Sequence, residues 1–413
     1  MNRVERDCVI AGGGPGGMIL GYLLAREGLR VTVLEKHADF LRDFRGDTIH
    51  PSTITILGEL GLRDRFLELP VNRVDTLDAV IDGHRLTLVD FATLPAPDNF
   101  LVFAPQWDLL NFLAREAAAF PGFELLMRTE AVGLLKTYGT VTGVRAVGPD
   151  GPVEIAATLT VAADGRPSRL RDEAHFVPVE LGVPIDVLWF DLPKPPNPPP
   201  TTLGYLSPHG FVVTIERGDH YQAGMIIRKG GLDSLKAVGI ESLRASLTAM
   251  APVLAPVVGS LESWEQLKLL SVQLNRLTRW FRDGFICIGD AAHAMSPVMG
   301  VGINYAIQDA VALAREIAGP LADGMAPTSA LHAVQERRIP PVEKMQRIQR
   351  FVHNRMGPTL QESGGPVLPP LALRALSALQ PVLQRVMARL VGRGFLPEHV
   401  DYETTGSTNG RRR

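Results

Sequence analysis

The sequence predicts an α/β protein: a three-layer domain on a parallel sheet, interleaved with a mixed β-sheet domain and followed by a helical C-terminal segment. Three observations predict it. The chain opens with strand, glycine turn, helix and strand between Asp7 and Glu35. A proline- and turn-rich middle carries short runs of alternating apolar residues, the mark of antiparallel strands. In FICIGDAAHAMSPVMGVGINYAIQDAVALAREIAG a strand, an irregular loop and a long helix return, and the chain stays helical afterwards.

Each element follows from local chemistry. CVIAGGG is a strand running into glycines, PGGMILGYLLAREG has apolar residues at helical spacing, and RVTVLE is a β-branched run suited to a buried parallel strand. Gly28 stops the helix as a left-handed C-terminal residue. HRLTLVDF reads as an antiparallel strand of a second layer, and a helix is expected from Trp107 to Phe120. Val132 to Ala163 reads as a β-meander, with further strands over Pro184–Leu192 and Leu203–Ile227. KPPNPPP between them is a surface linker, because proline runs forbid ladders and helices. The late helices are expected to break at Pro340-Pro341, Gly357-Pro358, Pro366 to Pro370 and Pro381.

The 413 residues suffice for two interwoven domains. With 42 Lys and Arg against 44 Asp and Glu, and 46% apolar residues, the chain reads as globular and nucleic acid is excluded as a partner. Cys8 and Cys287 sit in apolar strand-like runs, so buried thiols and a reducing cytoplasm are expected. No basic-then-apolar leader opens the sequence and no apolar stretch is long enough to span a bilayer, so export and membrane spanning are not expected.

Chemistry concentrates in three separated patches. Gly12, Gly14 and Gly17, with Pro15 and Gly16 between them, lie between strand and helix, where a side chain would block the tight turn, a pyrophosphate, or helix-to-strand packing. The helix N-terminus suits phosphate, and Glu35, followed by Lys36, ends the second strand where a carboxylate accepts from an adenosine ribose. That makes a Rossmann-like dinucleotide site without choosing between FAD and NAD. The other patches are Asp164-Gly165-Arg166 and Gly289-Asp290-Ala291-Ala292-His293, each at the end of a β-run.

In order, GGGPGG, AADGRPSRLR and GDAAHAMSPVMGVGIN resemble the three signatures of the flavoprotein aromatic hydroxylases, the family of para-hydroxybenzoate hydroxylase. The resemblance implies a Rossmann-like FAD-binding domain over 1–70, 105–175 and 275–340, a substrate domain over 71–104 and 176–274, a helical segment over 341–400 and a tail over 401–413. It implies FAD as cofactor, NAD(P)H as a transient co-substrate, and hydroxylation of an apolar aromatic substrate by dioxygen through a flavin C4a-hydroperoxide. By resemblance Asp290 meets the ribityl chain, Gly302, Ile303 and Asn304 lie against the flavin pyrimidine, and Asp164 and Gly165 serve FAD and nicotinamide. Arg45 and Gln106 match residues near the flavin, with a solvated arginine and a plain helix cap as alternatives. Pro297 and Gly300 complete the flavin-side loop. The helix starting near Gly302 directs its positive end at the ring. Alanines at 162 and 163, where the family often has Gly-Ala, and glycine after Arg45 are departures from the pattern.

His50 and His293 read as structural, since the family leaves the reactive chemistry to the cofactor. A second glycine fingerprint and a CxxC pair are missing, as is the Trp-x-Trp-x-Ile-Pro of flavin halogenases. The rivals are a reductase of the same fold acting on a quinone or isoprenoid, and a non-catalytic escort protein. The substrate pocket is expected under the strands near Val187–Phe190, Tyr205–Val213 and Gln222–Ile227, with Pro297 on the flavin side. The basic amphipathic stretch from Ser363 to Pro397 packs on the flavin domain, or makes a homodimer or peripheral membrane contact.

Overall fold

The computed structural model describes residues 3–41, 48–198, 203–359 and 367–400. Strand β1 (Arg3–Ala11) runs parallel to β2 (Val31–Leu34) on one side and to Gly151–Ala162 on the other. Phe123–Leu126 extends the parallel sheet beyond β2, and Phe285–Cys287 pairs with the far end of Gly151–Ala162. Helix α1 (Pro15–Arg26) connects the first two strands and packs against the helix Gly302–Ala322. Every residue of β2 is buried, as a strand in a covered parallel sheet must be. The expected α/β architecture is therefore present. Cys8 and Cys287 are free and buried, and burial pushes both thiols well above their ordinary range.

A second, seven-stranded mixed sheet has the order Lys268–Leu270, Ile185–Pro193, His220–Arg228, Gly210–Arg217, Leu203–Ser207, Thr76–Ile81, His84–Asp90. Only Leu203–Ser207 and Thr76–Ile81 run parallel in it. Its two faces do different work. Leu188, Phe190, Tyr205, Val212, Ala223, Met225 and Ile227 face the helix Ile240–Met250, forming a core with Leu243 and Leu247. The alternate residues Trp189, Val213 and Ile215 belong to the opposite face and pack with Phe103, Leu101 and Met299. The two-residue period of a strand divides the expected pocket strands between these two faces.

The proline breaks need correction. Thr328–Thr359 is one helix through Pro340-Pro341 and Gly357-Pro358, and Pro370–Ala388 is one helix through Pro381. A proline in a helix costs about 3 kcal/mol. Around Pro340 that cost is met by packing, since Arg338, Val342, Met345, Gln346 and Gln349 are all fully buried. Pro370 itself starts its helix, where the missing N–H has no partner to lose.

A buried chain of charges joins these parts. Asp309, in the helix Gly302–Ala322, accepts from His293 Nε2 at 2.6 Å and from Arg338 Nε at 2.9 Å. Arg338 reaches Glu398 at 3.3 Å, and Glu398 also accepts from Arg337 at 2.7 Å and Arg315 at 2.9 Å. Burial would raise the pKa of Asp309, but the charge and hydrogen bonds of His293 and Arg338 outweigh it and hold the carboxyl below its ordinary 3.8. Burial is likewise outweighed at Glu398, which Arg337, Arg338 and Arg315 hold below its ordinary 4.5. A lowered native pKa means the stability is fully present above those ordinary values and is lost as the pH falls through the lowered ones. Replacing Arg338 by Met leaves buried Asp309 with His293 alone, while Glu398 keeps Arg337 and Arg315, and a loss of about 3–5 kcal/mol is expected by urea denaturation near neutral pH. The acid-induced loss of stability below about pH 4.5 should shrink in the same variant. An unchanged denaturation midpoint would contradict the assignment.

Candidate cofactor site

The three glycine and aspartate patches meet at the C-terminal ends of the parallel strands. Gly12 N donates to Leu34 O at 2.8 Å, Ala163 N to Ala11 O at 2.7 Å, and Ile288 N to Ala162 O at 2.9 Å. These backbone bonds bring Gly12, Glu35, the Asp164 motif and the Gly289-Asp290 motif to adjoining strand ends, the place where open α/β sheets bind ligands.

The glycines divide by what constrains them. Gly12 has φ +110, and a Cβ on it would lie 2.2 Å from Ala163 O. A Cβ on Gly17 would lie 2.0 Å from Gly12 O, and one on Gly16 3.0 Å from Ala306 O in the helix Gly302–Ala322. These three serve the fold. Gly14 is different: it caps α1 at φ −74 with no side-chain capping bond, and its Cβ would meet nothing within 4 Å among the described residues. Gly302, the first residue of its helix, is equally open and uncapped by any side chain. Two helix N-termini thus present backbone N–H groups and positive dipole ends behind glycines that the fold itself does not require.

Acceptors surround them. Glu35 is buried and accepts from Gly13 N at 3.2 Å and His37 N at 3.0 Å. Asp164 Oδ2 accepts from Arg169 N at 2.9 Å, while its Oδ1 is buried with no partner among the described residues. Burial raises the Asp164 pKa against the hydrogen bonds that lower it. Asp290 is half-buried and accepts from Arg166 Nε at 3.1 Å, linking the second patch to the third. An orphaned carboxylate oxygen, two open helix starts and strand-end acids fit the pyrophosphate and polyol of FAD.

Of the other expected residues, Pro15 opens α1 and Gln106 opens the helix Gln106–Ala117, half-buried, while Lys36 is exposed. Arg45 lies outside the described residues. Gly165 and Gly289 have left-handed φ values of +85 and +57. Pro297 precedes a short turn in which Met299 and Gly300 have φ +71 and +63. Ile303 and Asn304 turn their side chains into the protein, so what they offer a ligand is backbone N–H. Asn304 Oδ1 accepts from Thr53 Oγ1 at 2.6 Å and His50 N at 3.0 Å.

Sequence reasoning read His50 as structural without its partners and missed His353. His50 sits between Gly300 O at 3.1 Å and Val391 O at 2.5 Å, and burial pushes its pKa down to about 4 despite both carbonyls. His353, 2.8 Å from Ser296 Oγ, is likewise pushed down to about 4 by burial. Their partners come from distant segments, so no local pattern announces them.

The FAD binding domain family matches residues 5–349. The chain is 32% identical over 389 residues to 6-methylpretetramide 4-monooxygenase of Streptomyces rimosus, covering 93% of this chain and 91% of the relative. Its fold is similar to that of the anhydrotetracycline hydroxylase OxyS of Streptomyces rimosus, with TM-score 0.75, 23% identity and coverage of 94% and 76% of the two chains. It is also similar to p-nitrophenol 4-monooxygenase PnpA of Pseudomonas putida, with TM-score 0.75, 18% identity and coverage of 95% and 100%.

The open Gly14 generates a sharp test. Gly14→Val is expected to keep native circular dichroism and to weaken FAD binding at least about tenfold, ~1.4 kcal/mol. Gly17→Ala, which collides with the Gly12 carbonyl, should instead lower the melting temperature. A folded Gly14→Val protein with full flavin content would show that this helix start does not meet the cofactor.

Proposed function

The chain belongs to the FAD binding domain family, and from that membership we propose that it is a monooxygenase hydroxylating an apolar polycyclic aromatic with NADH or NADPH and dioxygen. One observation supports the substrate class above others. Met299, from the turn beside the helix start at Gly302, packs against the apolar group of Leu101, Phe103 and Ile215, where Trp189 and Val213 also lie. The partly exposed members of this cluster beside the flavin-side loop, Trp189, Val213 and Met299, offer aromatic and aliphatic surface. An extended apolar ring system entering it would gain ~25 cal/mol per Å² removed from water. The names of the relatives, 6-methylpretetramide 4-monooxygenase and anhydrotetracycline hydroxylase, support the same class.

When bound, FAD supplies the redox chemistry, taking hydride from the nicotinamide and activating dioxygen. The protein's part is to bind and orient. The N-terminus of α1 would hold the pyrophosphate, Glu35 would accept from the ribose, and Asp290 would accept from the ribityl hydroxyls. The N–H groups of Gly302, Ile303 and Asn304 would face the flavin pyrimidine, where the helix dipole would favour negative charge on the reduced ring. The apolar wall keeps water from the reacting centre. We assign residues 1–70, 105–175 and 275–340 to cofactor binding and 71–104 and 176–274 to the substrate.

The FAD-loaded protein is tested with NADH or NADPH and a panel of phenols, quinones and aromatic polyketides. One product gaining a single oxygen atom is expected. Anaerobic flavin reduction should quicken at least about tenfold with that substrate present, ~1.4 kcal/mol on the barrier. A hydrogenated product formed without oxygen consumption would assign the chain to reductase chemistry instead.

A further inference from the structure

The helix Pro370–Ala388 is attached by one face only. Leu373 and Leu376 pack on Ala79, Ile81 and Leu86 of the second sheet, and Gln380 and Gln384 donate to Thr87 O at 3.4 and 3.1 Å. The opposite face carries Leu371, Leu379, Val382 and Val386, which are 79%, 61%, 62% and 56% exposed. Their spacing, with Ala375 and Ala378 between, places them on one continuous stripe. Single exposed apolar side chains are ordinary, but a contiguous stripe marks an interaction surface.

Charge selects the occupant. Arg374 and Arg385 lie along one edge of the stripe, and Arg389 and Arg393 follow it at its C-terminal end. None of the four is in an ion pair among the described residues. No acidic residue occurs from Ser363 to Pro397. A two-fold pairing of this helix with its own copy would bring these arginines against each other with no acid of the helix to pair them. The chain's own flanking segments, LQESGGP at 360–366 and DYETTGSTNGRRR at 401–413, are too polar to cover an apolar stripe. An anionic lipid surface satisfies both features: its headgroups take the arginines and its acyl boundary takes the stripe.

We propose that the outer face of the helix Pro370–Ala388 docks the protein on an anionic membrane surface, with the helix lying in the interfacial plane. The sheet holds the inner face, and no helix among the described residues is long and apolar enough to cross a membrane, so the contact is peripheral. This inference does not depend on the reaction proposed above.

The test is flotation of the full-length, FAD-loaded protein with vesicles of phosphatidylcholine alone or mixed with phosphatidylglycerol. Binding is expected to the mixed vesicles and to weaken with added salt. Leu379→Glu with Val382→Glu should reduce it at least about tenfold, with flavin content and melting temperature unchanged. Arg374→Gln with Arg385→Gln should weaken the preference for phosphatidylglycerol, with Arg389 and Arg393 left in place and the stripe intact. The proposal is overturned if the wild type ignores mixed vesicles, or if either double variant binds them as the wild type does. It is equally overturned if sedimentation shows a dimer that Leu379→Glu with Val382→Glu dissociates, for a second copy then covers the face.

Discussion

Asp309 carries two obligations at once. Its carboxylate accepts from the backbone N–H of Gly289 at 3.0 Å and from His293, fixing both ends of the Gly289-Asp290 motif. The same helix begins at Gly302, so the motif and the helix start behind the flavin-side loop are set against one another by one side chain. A charge with no exposure is tolerable only if paired, and Arg338 provides the pairing, itself balanced by Glu398. Thus residues 398 and 338 stabilise a loop they never touch. His50, with one ring nitrogen beside Val391 O and the other beside Gly300 O, adds a contact between the C-terminal region and the loop and donates to one of the two carbonyls. The C-terminal region therefore acts as a brace on the cofactor site.

With the loop held, the division among glycines becomes informative. Gly12, Gly16 and Gly17 are required by close approaches inside the protein, whereas Gly14 and Gly302 border space that described protein atoms leave open. Open glycines at two helix starts, with acids at the neighbouring strand ends, define a surface complementary to a molecule carrying both phosphate and hydroxyl groups. The second sheet turns Trp189, Val213 and Ile215 to the same side as Met299, which joins that surface to an apolar wall. The two sheets thus meet at one loop, the glycine and acid cluster on one side of it and the apolar cluster on the other.

What was legible in the sequence was what is local. The strand, glycine turn and helix at Gly12–Gly17, the acid at Glu35, and the motifs at Asp164 and Asp290 are contiguous patterns whose chemistry is set by neighbours in the chain. The pocket wall was only half legible, because VLWF at 187–190 is apolar on both faces and alternation cannot say which face is inward. The proline rule failed at Pro340, Pro341 and Pro381, where packing and the helix's own continuity outweigh a local penalty. The charge chain was invisible, since His293, Asp309, Arg338 and Glu398 come from separated segments. Its one local hint is an aspartate, with Gln308 beside it, inside the mostly apolar run AIQDAVALA.

The most direct measurement is calorimetric titration of the apoprotein with FAD, for the wild type and for Asp309→Asn. The account predicts one FAD per wild-type chain. In the folded variant, whose altered residue does not meet the cofactor, it predicts affinity weakened by about tenfold, ~1.4 kcal/mol. A folded Asp309→Asn protein that binds FAD as tightly as the wild type would contradict the claim that this buried carboxylate holds the site together.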